Sequence, residues 1–250
     1  MQNKTIAMIL CAGYGTRMRP LTDAIPKALI MIGDKTLLEH NLEHISRFGI
    51  HDFVINTHYC ADVLTSYVTS HLAKKFKIKL IHEPETLLDT GGGVWNAVSL
   101  FKDFDTILIY NVDILSSIDL TCLLDNHRTT NALCTLAVTQ RSSSRYLLFM
   151  DKQLVGWHNT KTNEEKWVNE KIINAMPYAF SGIHLVQKNT INLYPRTGSF
   201  SIIDMYLKIA AQQNVFKFDH TNDVIIDVGT PSQIEPAIEY LRLYDKKYKY

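Results

Sequence analysis

From Ile6 to Leu10 every residue of the run Thr5-Ile6-Ala7-Met8-Ile9-Leu10 is apolar, so a strand built from it has no face for water. Such a strand must be covered on both sides, as in parallel sheets flanked by helices. Thr106–Asn111, with Ile107, Leu108, Ile109 and Tyr110 in sequence, repeats the pattern. Helical periodicity lies between these runs. Thr36 can cap a helix reaching about Phe48, with Leu37, Leu38, Leu42, Ile45 and Phe48 near one face and Gly49 as the stop. Asp52–Asn56 reads as a second strand, Ala61–Lys74 as a second helix, Lys79–Ile81 as a third strand and Val94–Phe101 as a short helix. This alternation predicts βαβ units and an α/β fold: a Rossmann-like mixed, mostly parallel sheet with helices on both faces.

The middle of the chain changes character. Ala132–Thr139 is strand-like, and Tyr146–Met150 and Leu154–His158 flank an Asp151-Lys152-Gln153 turn, which predicts a hairpin and hence a small β-rich insertion. Residues 159–176 are polar and aperiodic and read as a surface excursion. Tyr178–Val186 is a strand, Ser199 or Ser201 starts a helix to about Gln213, and short strands follow near Val215–Phe218 and Val224–Ile226. Thr230 and Pro231 open a last helix to Leu243, and the tail Lys246–Tyr250 is expected to fray.

Composition excludes several partners. The net charge is +1 over 250 residues, so no bulk field favours nucleic acid or a membrane surface. Aromatic and basic residues do not interleave as in single-strand binders. No apolar run approaches the ~18 residues of a membrane span. Cys11, Cys60, Cys122 and Cys134 lack metal-ligand spacing and read as reduced thiols. With no signal-peptide pattern before the first strand, a cytoplasmic protein is expected.

The chemistry is concentrated in loops at strand ends. Cys11-Ala12-Gly13-Tyr14-Gly15-Thr16-Arg17 leaves the first strand through small residues that let backbone N–H groups approach a ligand. Arg17, Arg19 and Lys27 add positive charge, for which a polyphosphate is the natural partner. The loop lacks the third glycine of a dinucleotide fingerprint, and the chain has no P-loop. Gly91-Gly92-Gly93, set before the Val94 helix, suggests a close backbone approach to a planar base. Asp113 and Asp227 each follow an apolar strand, and two carboxylates with phosphate oxygens and waters suit Mg²⁺. Ligands of open parallel sheets sit beyond the carboxyl ends of strands, so the Gly loop, Asn111–Asp113 and Asp227–Gly229 are expected to converge.

Leu10–Thr22 followed by Pro26-Lys27-Ala28-Leu29 resembles the signature of the sugar-1-phosphate nucleotidylyltransferases. The similarity continues through Asp89–Gly93, Asn111–Asp113, Phe180–Ile183 and Asp227–Thr230. It looks most like the short bacterial N-acetylmuramate 1-phosphate uridylyltransferases and mannose-1-phosphate guanylyltransferase-like proteins. The resemblance implies one domain of the nucleotide-diphospho-sugar transferase type. Residues 1–113 would form the nucleotide-binding half, 114–230 the acceptor half, and 231–250 a C-terminal helix and tail.

By resemblance, Arg17, Lys27 and Asp113 would be catalytic and Asp113 and Asp227 would hold Mg²⁺. Ala12, Gly13, Gly15, Thr16, Glu83, Thr90 and Gly91 would bind the nucleotide, and Arg145, Tyr146, Ser181 and Gly182 the sugar. The expected substrates are a nucleoside triphosphate and a sugar 1-phosphate, and the expected state is a monomer or dimer. One departure stands out: Glu165-Lys166 is followed by Trp167 where many relatives have Glu-Lys-Pro. A non-catalytic nucleotide-sugar sensor and a transferase using a non-sugar phosphate such as phosphocholine are the alternatives.

Overall fold

The computed structural model describes residues 4–83 and 86–248. The chain forms two compact units, neither contiguous in sequence. The first comprises Ile6–Leu87, Tyr110–Ile118 and Asp223–Tyr250, and the second Met1–Thr5, Leu88–Ile109 and Asp119–Asn222.

Along the chain the regular elements begin with β1 (Thr5–Leu10), β2 (Met31–Ile32), β3 (Lys35–Thr36), α1 (Leu37–Ser46), β4 (Asp52–Thr57), α2 (Ala61–Tyr67) and β5 (Lys77–His82). In the first unit β1, β4 and β5 lie side by side and parallel, with Leu10 opposite Asn56 and Thr57 opposite His82. The expected cap of α1 is present in reciprocal form. Thr36 Oγ1 accepts from the Glu39 N–H at 3.2 Å, and Glu39 Oε2 accepts from the Thr36 N–H at 3.0 Å. Leu37, Leu38, Leu42 and Ile45 are fully buried, as the periodicity predicts. The second predicted helix keeps its α form only to Tyr67, and a wider π-type turn, Val68–Leu72, completes it.

The chain continues with α3 (Asp89–Asn96), β6 (Thr106–Asn111), β7 (Ile114–Ser116), α4 (Leu120–Thr130), β8 (Cys134–Thr139), β9 (Arg145–Met150), β10 (Gln153–Asn159), β11 (Glu164–Trp167) and β12 (Met176–Gln187). It closes with α5 (Lys188–Leu193), α6 (Ile202–Ala210), β13 (Val215–Asp219), β14 (Ile225–Asp227) and α7 (Ile234–Tyr248). In the first unit β14 returns to pair antiparallel with β7. Around α7, Ile234, Ile238 and Leu241 pack on a buried cluster of Met18, Ile30, Ile32, Leu37, Leu115, Val228 and Ala237. This core holds the loop after β1 from below.

In the second unit β13 runs parallel to β8, whereas β12 pairs antiparallel with both β8 and β9. The β9–β10 hairpin is the predicted one, turning through Asp151 at φ 50°. Helices cover both faces of this sheet. His184 is opposite Leu136 and its ring meets Tyr206 of α6, while the adjacent Thr135, on the other face, bonds His127 of α4 at 2.8 Å.

Three expectations need correction, and one helix escapes the sequence. The glycine run does not precede a helix but lies inside α3, which starts at Asp89. Part of the 159–176 stretch is the strand β11, whose polar composition suits its place at the sheet edge. The helix α5, which the sequence reading passes over, has too few periodic positions to stand out. The tail expected to fray is helical through Tyr248, and Lys249 and Tyr250 lie outside the described residues. Among the described residues no helix is long and apolar enough to cross a membrane.

Candidate active site

In the first unit, β1 ends at Leu10 and the backbone enters an open loop. Cys11 and Ala12 are buried, and Gly13 has free space around it: a Cβ there would meet nothing within 4 Å. Gly15 adopts φ 62°, a left-handed conformation that favours glycine, and a Cβ would sit 3.0 Å from Thr22 Cγ2. Its carbonyl accepts from Thr22 Oγ1 at 2.8 Å and from the Met18 N–H at 2.8 Å. Thr16-Arg17-Met18 forms a single 3-10 turn, with Met18 fully buried in the α7 cluster. That anchor fixes the backbone that carries Arg17. Arg19 is exposed and pairs with Asp23 at 3.4 Å, which partly neutralises it.

The strand-end acids reach the same unit. The Val112 N–H donates to Leu10 O at 3.4 Å, and Val112 O accepts from Asn41 Nδ2 of α1 at 2.7 Å. The next residue, Asp113, forms an ion pair with Lys27 in which both side chains keep little exposure, 11% for Lys27 and 21% for Asp113. The Val228 N–H donates to Asp113 O at 2.8 Å, and Asp227 is opposite Ile114 in the β7–β14 ladder. Two aspartates far apart in sequence are thereby brought to one end of a short hairpin-like ladder. Gly229 completes the arrangement. A Cβ added to it would lie 2.7 Å from Asp227 Oδ1 and 2.9 Å from Arg17 Nη2, so both charged groups close over a residue with no side chain to displace them.

Asn41 was not singled out by sequence reasoning, and Gly229 entered only as the end of the Asp227–Gly229 loop, with no role of its own. Gly229 directly follows the Asp227-Val228 pair, and that adjacency was the available signal. Asn41 had none, because its partner is a carbonyl in a distant segment. The segment after β4 also braces the loop: Tyr59 Oη donates to Thr22 O at 2.9 Å, and Tyr14 Oη lies 3.3 Å from His58 Nε2. Glu83 is 0% exposed, with Oε1 accepting from Asn56 Nδ2 at 2.6 Å. Burial, and then the charge of Asp113, push the Cys11 thiol far above its ordinary range, so it carries no thiolate chemistry.

Thr90 and Gly91 belong to the second unit, in the first turn of α3. The N–H groups of Gly91 and Gly92 both point at Phe200 O, at 3.0 and 3.3 Å, and Thr90 Oγ1 accepts from the Ile202 N–H at 3.2 Å. A Cβ on Gly91 would run into the Phe200 ring, and one on Gly92 into Gly198 O. The glycines therefore admit the 198–202 segment against the helix, and their N–H groups are used inside the protein.

The proposed sugar-binding residues also lie in the second unit. Arg145 is exposed at the start of β9, and Tyr146 Oη accepts from the Ser143 N–H at 2.8 Å. Gly182, at φ 72°, lies in the irregular register where β12 passes β8 between Phe180 and His184. Ser181 is fully buried, and its hydroxyl is bonded to His220 Nε2 at 2.8 Å. Burial pushes the His220 pKa down to about 4, with Arg141 lowering it further against the opposing Asp219. That ring is neutral at pH 7. Arg141 Nη2 donates to Phe180 O at 3.2 Å beside this pair. Glu165 and Lys166 are held elsewhere, Lys166 on Asp204 at 2.8 Å and Glu165 on Lys171 at 2.7 Å.

The sequence profile described as Nucleotidyl transferase matches residues 6–241. An N-acetylmuramate alpha-1-phosphate uridylyltransferase of Caulobacter vibrioides is 28% identical over 220 residues, covering 86% of this chain and 88% of that protein. A mannose-1-phosphate guanyltransferase of Yarrowia lipolytica is 25% identical over 96% of this chain, which spans 65% of that longer protein. Among solved structures, HddC from Yersinia pseudotuberculosis complexed with GMP-PN has a TM-score of 0.73 at 21% identity, covering 95% of this chain and 99% of that one. At that identity the likeness speaks to the fold, which is of the nucleotide-diphospho-sugar transferase type.

Proposed function

Because the chain belongs to the nucleotidyl transferase family, we propose that it transfers a nucleoside monophosphate from a nucleoside triphosphate to a sugar 1-phosphate. The observation that carries this reading is the charge arrangement beneath the open Gly13 loop. Arg17 and Asp227 close over Gly229, and Lys27 is paired to Asp113 in the same unit. An oxygen of the acceptor phosphate attacks the α-phosphorus, the bond to the β-phosphate breaks, and pyrophosphate leaves. The acceptor phosphate is already an anion at neutral pH, so no general base is needed. The difficulty is repulsion between two polyanions, and fixed cations answer it.

Arg17 and Lys27 offset the charge of the triphosphate and of the leaving pyrophosphate. The Gly13 loop offers its backbone to the phosphates, with Ala12, Gly15 and Thr16 shaping it. Asp113 and Asp227 supply hard oxygen ligands only, and among the described residues no third acid, histidine or cysteine joins them in a metal-binding cluster. That donor set fits Mg²⁺, which takes one or two carboxylates and completes its shell from substrate phosphates and water. When bound there, Mg²⁺ would neutralise phosphate charge and orient the polyphosphate. Since Asp113 also holds Lys27, the carboxylate keeps the ammonium near the phosphate path. For the acceptor the exposed Arg145 is the candidate contact, and Tyr146 and Gly182 are the residues the family resemblance adds to it.

The test is pyrophosphate release with Mg²⁺, crossing UTP, GTP, CTP and dTTP against N-acetylmuramate, mannose and glucose 1-phosphates and phosphocholine. Turnover with one nucleotide and one sugar phosphate is the expected result. Turnover with phosphocholine alone, or nucleotide binding without turnover on any acceptor, would overturn it.

A further inference from the structure

We infer that Glu83 is a positioning residue for the nucleotide loop, acting through the Asn56 side chain on the backbone N–H of Cys11. The inference rests on reading Cys11–Thr16 as the nucleotide loop. It assigns Glu83 a different role from contact with the base.

The need arises where β1 leaves the sheet. Leu10 is the last β1 residue matched to β4, opposite Asn56, and the next N–H, on Cys11, is buried with no strand carbonyl left to take it. A buried backbone donor without an acceptor is costly. The Asn56 side chain fills the gap, with Oδ1 accepting from the Cys11 N–H at 2.7 Å. An asparagine side chain can present either its oxygen or its nitrogen at that spot, and only the oxygen works.

Glu83 settles the choice. It follows β5, and its own N–H donates to Thr57 O at 2.9 Å, which places it against the end of β4. Its Oε1 lies 2.6 Å from Asn56 Nδ2. A carboxylate can only accept, so the Asn56 nitrogen must face Glu83 and the oxygen must face Cys11. The direction of the loop's first peptide group is thereby set two side chains away. Because Glu83 is 0% exposed, a ligand cannot reach its carboxylate while this chain of hydrogen bonds is intact.

Exchanging the two polar ends tests the relay, because Asn56→Asp combined with Glu83→Gln keeps shape and total charge while reversing which residue donates. Three variants are compared with the wild type: N56D, E83Q and N56D/E83Q. The readouts are thermal unfolding, hydrogen exchange at the Cys11 amide, and calorimetric binding of UTP and GTP with Mg²⁺ and no acceptor. In N56D two carboxylates face each other, and nucleotide binding weakens about tenfold or more, with faster Cys11 exchange. E83Q keeps an acceptor for Asn56 but no longer excludes the reversed amide, so nucleotide binding weakens about two- to threefold and Cys11 exchange quickens, with the preference between UTP and GTP unchanged.

In the double variant the carboxylate introduced at position 56 accepts both from the Cys11 N–H and from the amide introduced at position 83. Affinity and amide protection then return to within about threefold of wild type. A double variant no better than N56D would overturn the relay. So would an E83Q variant that alone switches nucleotide preference, since that marks a base-reading residue. Should the wild type bind none of the nucleotides, the nucleotidyltransferase reading fails. Cys11 exchange across the variants would still decide the relay.

Discussion

Replacing Gly229 with alanine isolates the geometry of the charged pair from its chemistry, because no charged group is altered. Gly229 does not sit in the left-handed region, so alanine fits its backbone. The added Cβ would lie 2.7 Å from Asp227 Oδ1 and 2.9 Å from Arg17 Nη2, against ordinary contact from 3.4 Å. Relief needs displacements of roughly 0.7 Å for the carboxylate and 0.5 Å for the guanidinium, the differences between those distances. Both obstructing atoms end flexible side chains, so they can swing away and the fold bears little of the cost. Catalysis does not share that tolerance, since a misplacement near 1 Å in a catalytic array costs up to about 10²-fold. Gly229→Ala should therefore lower kcat by about 10- to 100-fold, or roughly 1.4–2.7 kcal/mol of barrier, with the unfolding midpoint nearly unchanged. The assay is steady-state pyrophosphate release with the best nucleotide and acceptor, run beside a thermal melt. Wild-type kcat within a factor of about three in a folded variant would refute the claim that Arg17 and Asp227 must close over that position.

Lys27→Ala should cost about 10²–10³ in kcat, with a smaller loss of stability because the mostly buried Asp113 carboxylate loses its ammonium. Near wild-type turnover in the folded variant would remove Lys27 from the mechanism. Gly91→Ala should destabilise the protein by about 1–3 kcal/mol in urea unfolding, because its Cβ would overlap the Phe200 ring and lie 2.8 Å from Phe200 O. Unchanged stability with lost nucleotide binding would favour base contact over packing at that position. Burial holds His184 near 3 and His127 and His220 near 4, against about 6.5 in the unfolded chain. The unfolded state therefore binds more protons below that pH, and stability falls as pH drops towards the folded values. Between pH 7.5 and 5.5 the three together should cost about 4 kcal/mol, and an unchanged urea midpoint would refute their burial as neutral rings.

Much of this protein was legible in its residues because the controlling physics is local. The both-faces-apolar β1, the Thr36–Glu39 cap of α1 and the turn at Asp151 follow from periodicity and from the reach of side chains a few positions apart. The cationic glycine loop is likewise a property of one short stretch. Where windows mislead, a partner from elsewhere in the chain has taken over. Gly91–Gly93 look like a loop until Phe200 packs against them and their peptides join α3. Ser181 meets His220, 39 residues on, through a buried hydrogen bond that neither stretch announces. Asn56, at the end of β4, reaches Glu83 beyond β5, a pairing that neither stretch announces. Which short segments become strands, helices and turns is written along the chain, since backbone sterics and hydrophobic spacing act over a few residues. The meeting of Asp113 and Asp227 at one end of the β7–β14 ladder, with Arg17 over Gly229, belongs to the assembled fold. Strand pairing chooses those neighbours across a distance that no window of sequence spans.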